Sequence, residues 1–153
     1  MADITAIPAI QDVLLSGDPT VYTAGAIITK GMVVAFHGTG VSRTVHPCVT
    51  GTTTEIVGVA IETVASGAPV KVAGRGCIAK VINYDDTTGI DAGDPIQDNV
   101  LALGGCVGAA ALVDAGVVAV VKYIAGYAIE DIAGGSYGAI DVCPGIITSA
   151  NNA

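Results

Sequence analysis

From Val21 onward, short runs of Val, Ile, Thr and Ala alternate with glycine-bearing turns at close intervals. Runs of about four to eight such residues, punctuated this way, predict the short strands of a barrel or sandwich. The clearest candidates are Met32–His37, Ile56–Val64, Pro69–Ala73, Cys77–Tyr84, Val117–Tyr123 and Ala139–Cys143. The one helical candidate, Ala109–Ala115, lacks a good cap. The expected fold is therefore all-β, a short-stranded β-barrel or sandwich. Residues 1–20 show no clean period and carry Pro8 and Pro19, so they read as an extended N-terminal arm with room for one short strand.

An internal repeat sharpens this reading. Residues 56–67 read IVGVAIETVASG and residues 124–135 read IAGYAIEDIAGG. They agree without a gap at Ile56/Ile124, Gly58/Gly126, Ala60/Ala128, Ile61/Ile129, Glu62/Glu130, Ala65/Ala133 and Gly67/Gly135. An alternating segment follows each copy, PVKVAGRG and YGAIDVCPG, and a turn–strand element precedes each, Ile28–Val34 and Ile90–Ile96. The expectation is an internal duplication: a β domain over residues 21–145 with halves of about 21–83 and 84–145, then a C-terminal tail over 146–153. Gly58 and Gly126 fall inside strands, where a missing side chain permits a bulge or a close backbone approach. Gly67 and Gly135 end those strands and are suited to positive φ in the turn that follows.

Composition adds a constraint on the surface. Hydrophobic residues make up 52% of the 153 positions, mostly Ala, Val and Ile with one Phe and no Trp. Charged residues make up 13%, about half of the usual 25%. So few polar side chains leave part of the surface suited to burial against copies of the chain or a larger partner. The net charge of −8 provides no basic stripe for phosphates, which argues against nucleic-acid and anionic-membrane partners. The longest apolar region, Val100 to Ile129, is broken by Asp114, Lys122 and glycines and makes a poor membrane span. The N-terminus shows no basic region followed by an apolar stretch, so synthesis in a cytoplasm is expected.

Several turn and strand motifs together resemble a known family. They are T-A-G-x-x-I-x-x-G at Thr23–Gly31, V-G-V-A-I-E followed by G-x-P-V-x-V within Val57–Val72, A-G-D-P-I at Ala92–Ile96, and I-A-G-Y-A-I-E within Ile124–Gly135. Over roughly residues 20–145 the chain is similar to small phage proteins encoded beside the head genes of tailed viruses and regarded as capsid decoration (cement) proteins. The resemblance implies a β-barrel-like module that packs on a capsid lattice as a homotrimer, with the major capsid protein as partner. It brings no catalytic residues.

Gly134-Gly135-Ser136-Tyr137-Gly138 matches a nucleophile elbow, but that elbow needs a strand–turn–helix and a later histidine, whereas His37 and His46 both precede Ser136. Gly74-Arg75-Gly76-Cys77-Ile78-Ala79 fits a dinucleotide fingerprint, yet a strand-like CIAKVINY follows where a helix is required, so a hairpin turn is expected. Asp85, Asp86, Asp91, Asp94 and Asp98 crowd one region in which a structural cation could sit, though the spacing is not that of an EF-hand and a solvated acidic loop is the default. His37, His46 and Cys48 lack an evident further metal ligand. Glu62 and Glu130 occupy matched repeat positions and read as outward charges rather than a glycosidase pair. Cys48, Cys77, Cys106 and Cys143 form no C-x-x-C pair and read as buried reduced thiols, with later disulfide formation outside a cell as the alternative.

The expected function is that of a non-enzymatic decoration protein on the outer surface of an assembled virus shell, with no cofactor, no metal and no catalytic residue. Its contacts are expected from the N-terminal arm at Ile4–Leu15 and the apolar loop at Gly104–Leu112. The alternative is a self-polymerising structural subunit, a tail-tube or extracellular filament protein.

Overall fold

The computed structural model describes residues 10–36, 43–48, 56–85, 87–98, 105, 107–109 and 121–148. Every regular element among them is a strand: β1 (Leu14–Ser16), β2 (Thr20–Ala24), β3 (Val33–Phe36), β4 (Thr44–Pro47), β5 (Ile56–Ala60), β6 (Pro69–Ala73), β7 (Ile78–Ile82), β8 (Pro95–Asp98), β9 (Val107–Ala109), β10 (Val121–Ala128) and β11 (Tyr137–Thr148). The protein is all-β, as the hydrophobic pattern predicts. Ala109 ends β9, and residues 110–115 of the helical candidate lie outside the described residues.

Strands β2, β4, β3, β5 and β6 close into a five-stranded barrel in that order. Closure comes from β2, which pairs parallel with β4 (Thr23↔Thr44, Ala24↔Val45) and antiparallel with β6 (Thr20↔Val72 to Thr23↔Pro69). A five-stranded barrel is narrower than the eight-stranded kind that side chains just fill. Its interior is accordingly built from small and β-branched residues, among them Ala24, Ile28, Val34, Val45, Ala60, Val70 and Val72, all fully buried. The remaining strands form a six-stranded sheet in the order β1-β7-β11-β10-β8-β9.

The two sheets meet across β5, all five residues of which are buried. Val57 and Ala60 face the barrel core, while Ile56 and Val59 belong to a second cluster with Ala79, Val81, Ile96, Ile140 and Val142 of the other sheet. Strict alternation cannot place both Val57 and Ala60 inward, since they are separated by an odd step. A bulge supplies the difference. Ala35 pairs with Ile56 and Val34 with Gly58, so Val57 is the extra residue. Gly58 is required there because a Cβ would collide with the Ala73 carbonyl.

The six-stranded sheet repeats the barrel's pairings position by position. Val34↔Pro47, Ala35↔His46 and Phe36↔Val45 between β3 and β4 correspond to Ile96↔Ala109, Gln97↔Gly108 and Asp98↔Val107 between β8 and β9. Thr20↔Val72 through Thr23↔Pro69 correspond to Ala79↔Ile140 through Ile82↔Tyr137. The parallel Ala24↔Val45 pair has its counterpart in a parallel Asn83↔Val107 bridge. Gly126 repeats the glycine bulge, with φ 154° and no room for a Cβ against the Asp141 carbonyl. The turn glycines correspond too, Gly67 at φ 86° and Gly135 at φ 67°.

The pairings also fix how the segments connect. β7 pairs with β1 and β11, not with β6, so the strands of the barrel end at Ala73. Gly74–Cys77 is a turn, closed by the Cys77 amide on the Gly74 carbonyl (3.1 Å), that crosses between sheets rather than a hairpin. The described end of the N-terminal arm is built into the fold: Val13 is buried, its carbonyl accepts the Lys80 amide (2.9 Å), and Leu14 pairs with Ala79. Finally, β11 runs on to Thr148, into the stretch read as a tail, because Ile146, Ile147 and Thr148 pair with Tyr123, Lys122 and Val121.

The two bulges yield a stability prediction. Gly58→Ala and Gly126→Ala should each lower unfolding stability by about 1–3 kcal/mol, the usual cost of overpacking. Gly74→Ala, where a Cβ meets open space, should change little. Urea unfolding of the three variants checks this, and equal stability of Gly126→Ala and Gly74→Ala would contradict it.

Candidate functional site

The sequence motifs that suggested chemistry are absorbed by ordinary backbone construction. Ser136 is exposed in a turn, where its amide donates to the Ala133 carbonyl (3.2 Å) and its carbonyl accepts the Asn83 amide (3.0 Å). The element that follows it is strand β11 and not a helix. His46 lies in β4 opposite Ala35, and its imidazole fills the space beside Gly25; His37 lies outside the described residues. After the Gly74–Cys77 turn comes strand β7, and Arg75 reaches across to donate to Cys143 Sγ (3.0 Å) and to the Pro144 carbonyl.

The matched glutamates do matched work. Glu62 Oε1 accepts the Lys71 amide (2.9 Å), and Glu130 Oε1 accepts the Ala139 amide (2.8 Å). Each carboxylate thereby fixes the strand that follows its turn, one in the barrel and one in the second sheet. Cys48 and Cys77 are buried, Cys143 is half-buried, and none of the three forms a disulfide; Cys106 lies outside the described residues.

The acidic region is organised by its own backbone. Asp85 is buried, and its Oδ1 accepts the Thr87 amide (2.9 Å), the Thr87 hydroxyl (2.8 Å) and the Thr88 amide (3.1 Å). Asn83, also buried, holds the same loop by donating to the Thr88 carbonyl (2.7 Å) while its Oδ1 accepts the Asp85 amide (3.2 Å). Asp94 accepts the Asp91 amide (3.0 Å), and Asp131 accepts the Ala92 amide (2.9 Å). Asp91 and Asp94 thus share one turn, into which Asp131 bonds, and Asp85 organises another. Among the described residues no group of three His, Cys, Asp or Glu side chains could hold a metal ion; Asp86 lies outside the described residues.

What the sequence reading did not locate is the exposed apolar surface. Ile27 is 70% exposed, Ile146 56%, Ile129 50%, and Leu15 and Val21 49% each, with Phe36 and Tyr127 somewhat less. Tyr22 and Phe36 stack edge-on at 6.0 Å, and Arg43, in the left-handed backbone region at φ 67°, lies over the Tyr22 ring at 5.3 Å. Tyr22 and Phe36 border an open groove of about 290 Å³ that also touches Arg75 and Pro144. Among the described residues no helix is long and apolar enough to cross a membrane.

No protein-family model matches the chain, and no curated protein matches it by sequence.

Asp85 gives a pH prediction. Its pKa is lowered, chiefly by the Thr87 amide, with burial opposing and the Thr87 hydroxyl and Thr88 assisting. A carboxyl with a lower pKa folded than unfolded stabilises fully above the unfolded value, about 3.9. That stability is lost as the pH falls through the lower folded value. Asp85→Asn should therefore be less stable than the parent at neutral pH and converge with it in acid. Thermal melts across that range check this, and a stability difference independent of pH would contradict it.

Proposed function

We propose that this chain is a non-enzymatic capsid decoration protein that binds the outer surface of an assembled virus shell and stabilises it. The observation that carries this reading is the set of isoleucines, Ile27, Ile129 and Ile146, each half or more exposed: Ile129 donates its amide to Ala139, Ile146 pairs with Tyr123, and Ile27 adjoins Ile28, which bonds to Val64. Large apolar side chains fixed in place lose little conformational freedom when a partner covers them. The motif resemblance at Thr23–Gly31, Val57–Val72, Ala92–Ile96 and Ile124–Gly135 points the same way, and in this proposal the matched halves arose by duplication of one module. The major capsid protein is the proposed partner, and the free chain is a homotrimer made in the host cytoplasm before it joins the virion.

The proposed contacts differ from those expected of the arm and loop. Val13 and Leu14 of the arm are engaged within the fold, and Gly105 accepts the Val33 amide (2.9 Å) and donates to Cys48 (2.8 Å). Val107 is buried in β9. The rest of Ile4–Leu15 and Gly104–Leu112 that would reach a shell lies largely outside the described residues. Ile27 and Ile146 are the preferred contact residues. Many identical sites on a lattice let weak single contacts act together.

Purified protein added to bare cognate shells should occupy a regular set of sites, visible by cryo-electron microscopy. Ile27→Ser should weaken binding about tenfold or more, since a buried isoleucine contributes about 1.5–3 kcal/mol. Undecorated shells would sink the reading. Spontaneous filaments of the free chain would replace it with the self-polymerising alternative.

A further inference from the structure

The two halves differ where β2 and β7 end. The barrel passes from Gly25 to Ile28 through two residues, and the second sheet passes from Tyr84 to Ile90 through five. These positions match by their bonds. The Gly25 amide donates to the Val45 carbonyl and the Tyr84 amide to the Val107 carbonyl (2.9 Å each), while Ile28 and Ile90 bond to Val64 and Ile132. Across the ladder the bulk is exchanged. The His46 imidazole fills the space beside Gly25, whereas the Tyr84 ring fills the space beside Gly108, the counterpart of His46.

The longer loop borders an open cavity of about 220 Å³, lined in part by Asn83, Tyr84, Asp85, Thr88, Ile90 and Gly108. Among the described residues Asn83 and Asp85 are the buried polar side chains. Asn83 is bonded through both ends of its amide. Asp85, 5% exposed, is bonded through one oxygen only. Its Oδ1 takes three donors, and among the described residues no hydrogen bond reaches Oδ2. The Thr87 amide chiefly, with the Thr88 side chain assisting, keeps this carboxyl below the usual range, so it is charged at neutral pH. A buried ionised oxygen without a donor is costly, and native structures supply one.

The chemistry of the cavity narrows what that donor is. A carboxylate beside an aromatic ring favours a cation over a neutral donor, and the net charge of −8 draws cations to the surface. A divalent metal is poorly served. Calcium takes about six to eight oxygens, and among the described residues no group of three His, Cys, Asp or Glu side chains gathers here. A guanidinium fork wants both carboxylate oxygens, and Oδ1 is already filled. A primary ammonium is a compact charge with three donors, which one oxygen and a neighbouring hydroxyl can share.

We infer that this cavity binds a primary ammonium group, on a small alkylamine or at the tip of a lysine side chain. Asp85 Oδ2 is its anionic partner, the Thr88 hydroxyl its second acceptor and Tyr84 the wall beside it. The barrel has no such site, since Ala26 follows Gly25 where Asp85 follows Tyr84. Binding here does not depend on a virus shell.

Amide NMR signals of the full isotope-labelled chain test it. Added n-butylamine should move the signals of Tyr84, Thr88, Gly89 and Gly108 saturably, and n-butanol, methylguanidinium and calcium should not. Asp85→Asn should weaken butylamine binding about tenfold or more. Thr88→Val, at an exposed position, should weaken it several-fold with a melting temperature close to the parent's. Should Asp85→Asn not fold, Thr88→Val carries the test. Nα-Acetyl-lysine amide, titrated in parallel, separates the two sources: shifts like those of butylamine extend the site to lysine side chains, and their absence confines it to free amines. No saturable shift with butylamine, an equal response to butanol, methylguanidinium or calcium, or full affinity in the folded variants would overturn the inference.

Discussion

The structure depends on the burial of β5 from both sides. A strand inside a closed barrel normally shows one face to the core and one to solvent. Here the solvent face is occupied by a second sheet, so Ile56 and Val59 are as dry as Val57 and Ala60. The Gly58 bulge makes this possible by letting the Ala73 backbone approach where a side chain would stand. A larger residue would push β6 away and open the barrel at the strand on which both clusters rest. Gly126 imposes the same geometry on β10 against Asp141.

From that one arrangement the asymmetry of the molecule follows. The two sets of strands pair alike, yet Tyr127 is left in solvent where its counterpart Val59 is buried, although Ile124 is as buried as its counterpart Ile56. On β5 the outer residues are aliphatic and buried. On β10 the same positions carry a tyrosine and a neighbouring isoleucine that remain in solvent beside Asp141. Tyr127 and Ile129 thus join Ile27 and Ile146 among the exposed apolar side chains on which the proposed function rests.

Much of the fold was legible in the sequence because its signals are local. Pro69–Ala73 alternates cleanly, and it is a strand with those limits. The glycines of IVGVAIETVASG and IAGYAIEDIAGG mark bulges and turns because only glycine fits the close approach or the positive φ. The partner of β7 was not legible, since GRG reads equally well as a hairpin and as a crossover between sheets. Strand β4, TVHP, was missed because proline and histidine dilute its apolar pattern, although its amides and carbonyls are what close the barrel. The surface was least legible. Val59 and Tyr127 hold equivalent positions, and alternation reports that both face outward without reporting which one another sheet covers.

A protein that binds only the assembled lattice must stabilise that lattice by mass action, as a ligand stabilises the state it prefers. The most direct measurement is the thermal disruption temperature of cognate shells titrated with the purified chain. For a decoration protein this temperature should rise with occupancy, level off when the sites are filled, and return to the bare-shell value once the chain is removed. Shells that carry the chain at full occupancy and still come apart at the bare-shell temperature would contradict the proposed function.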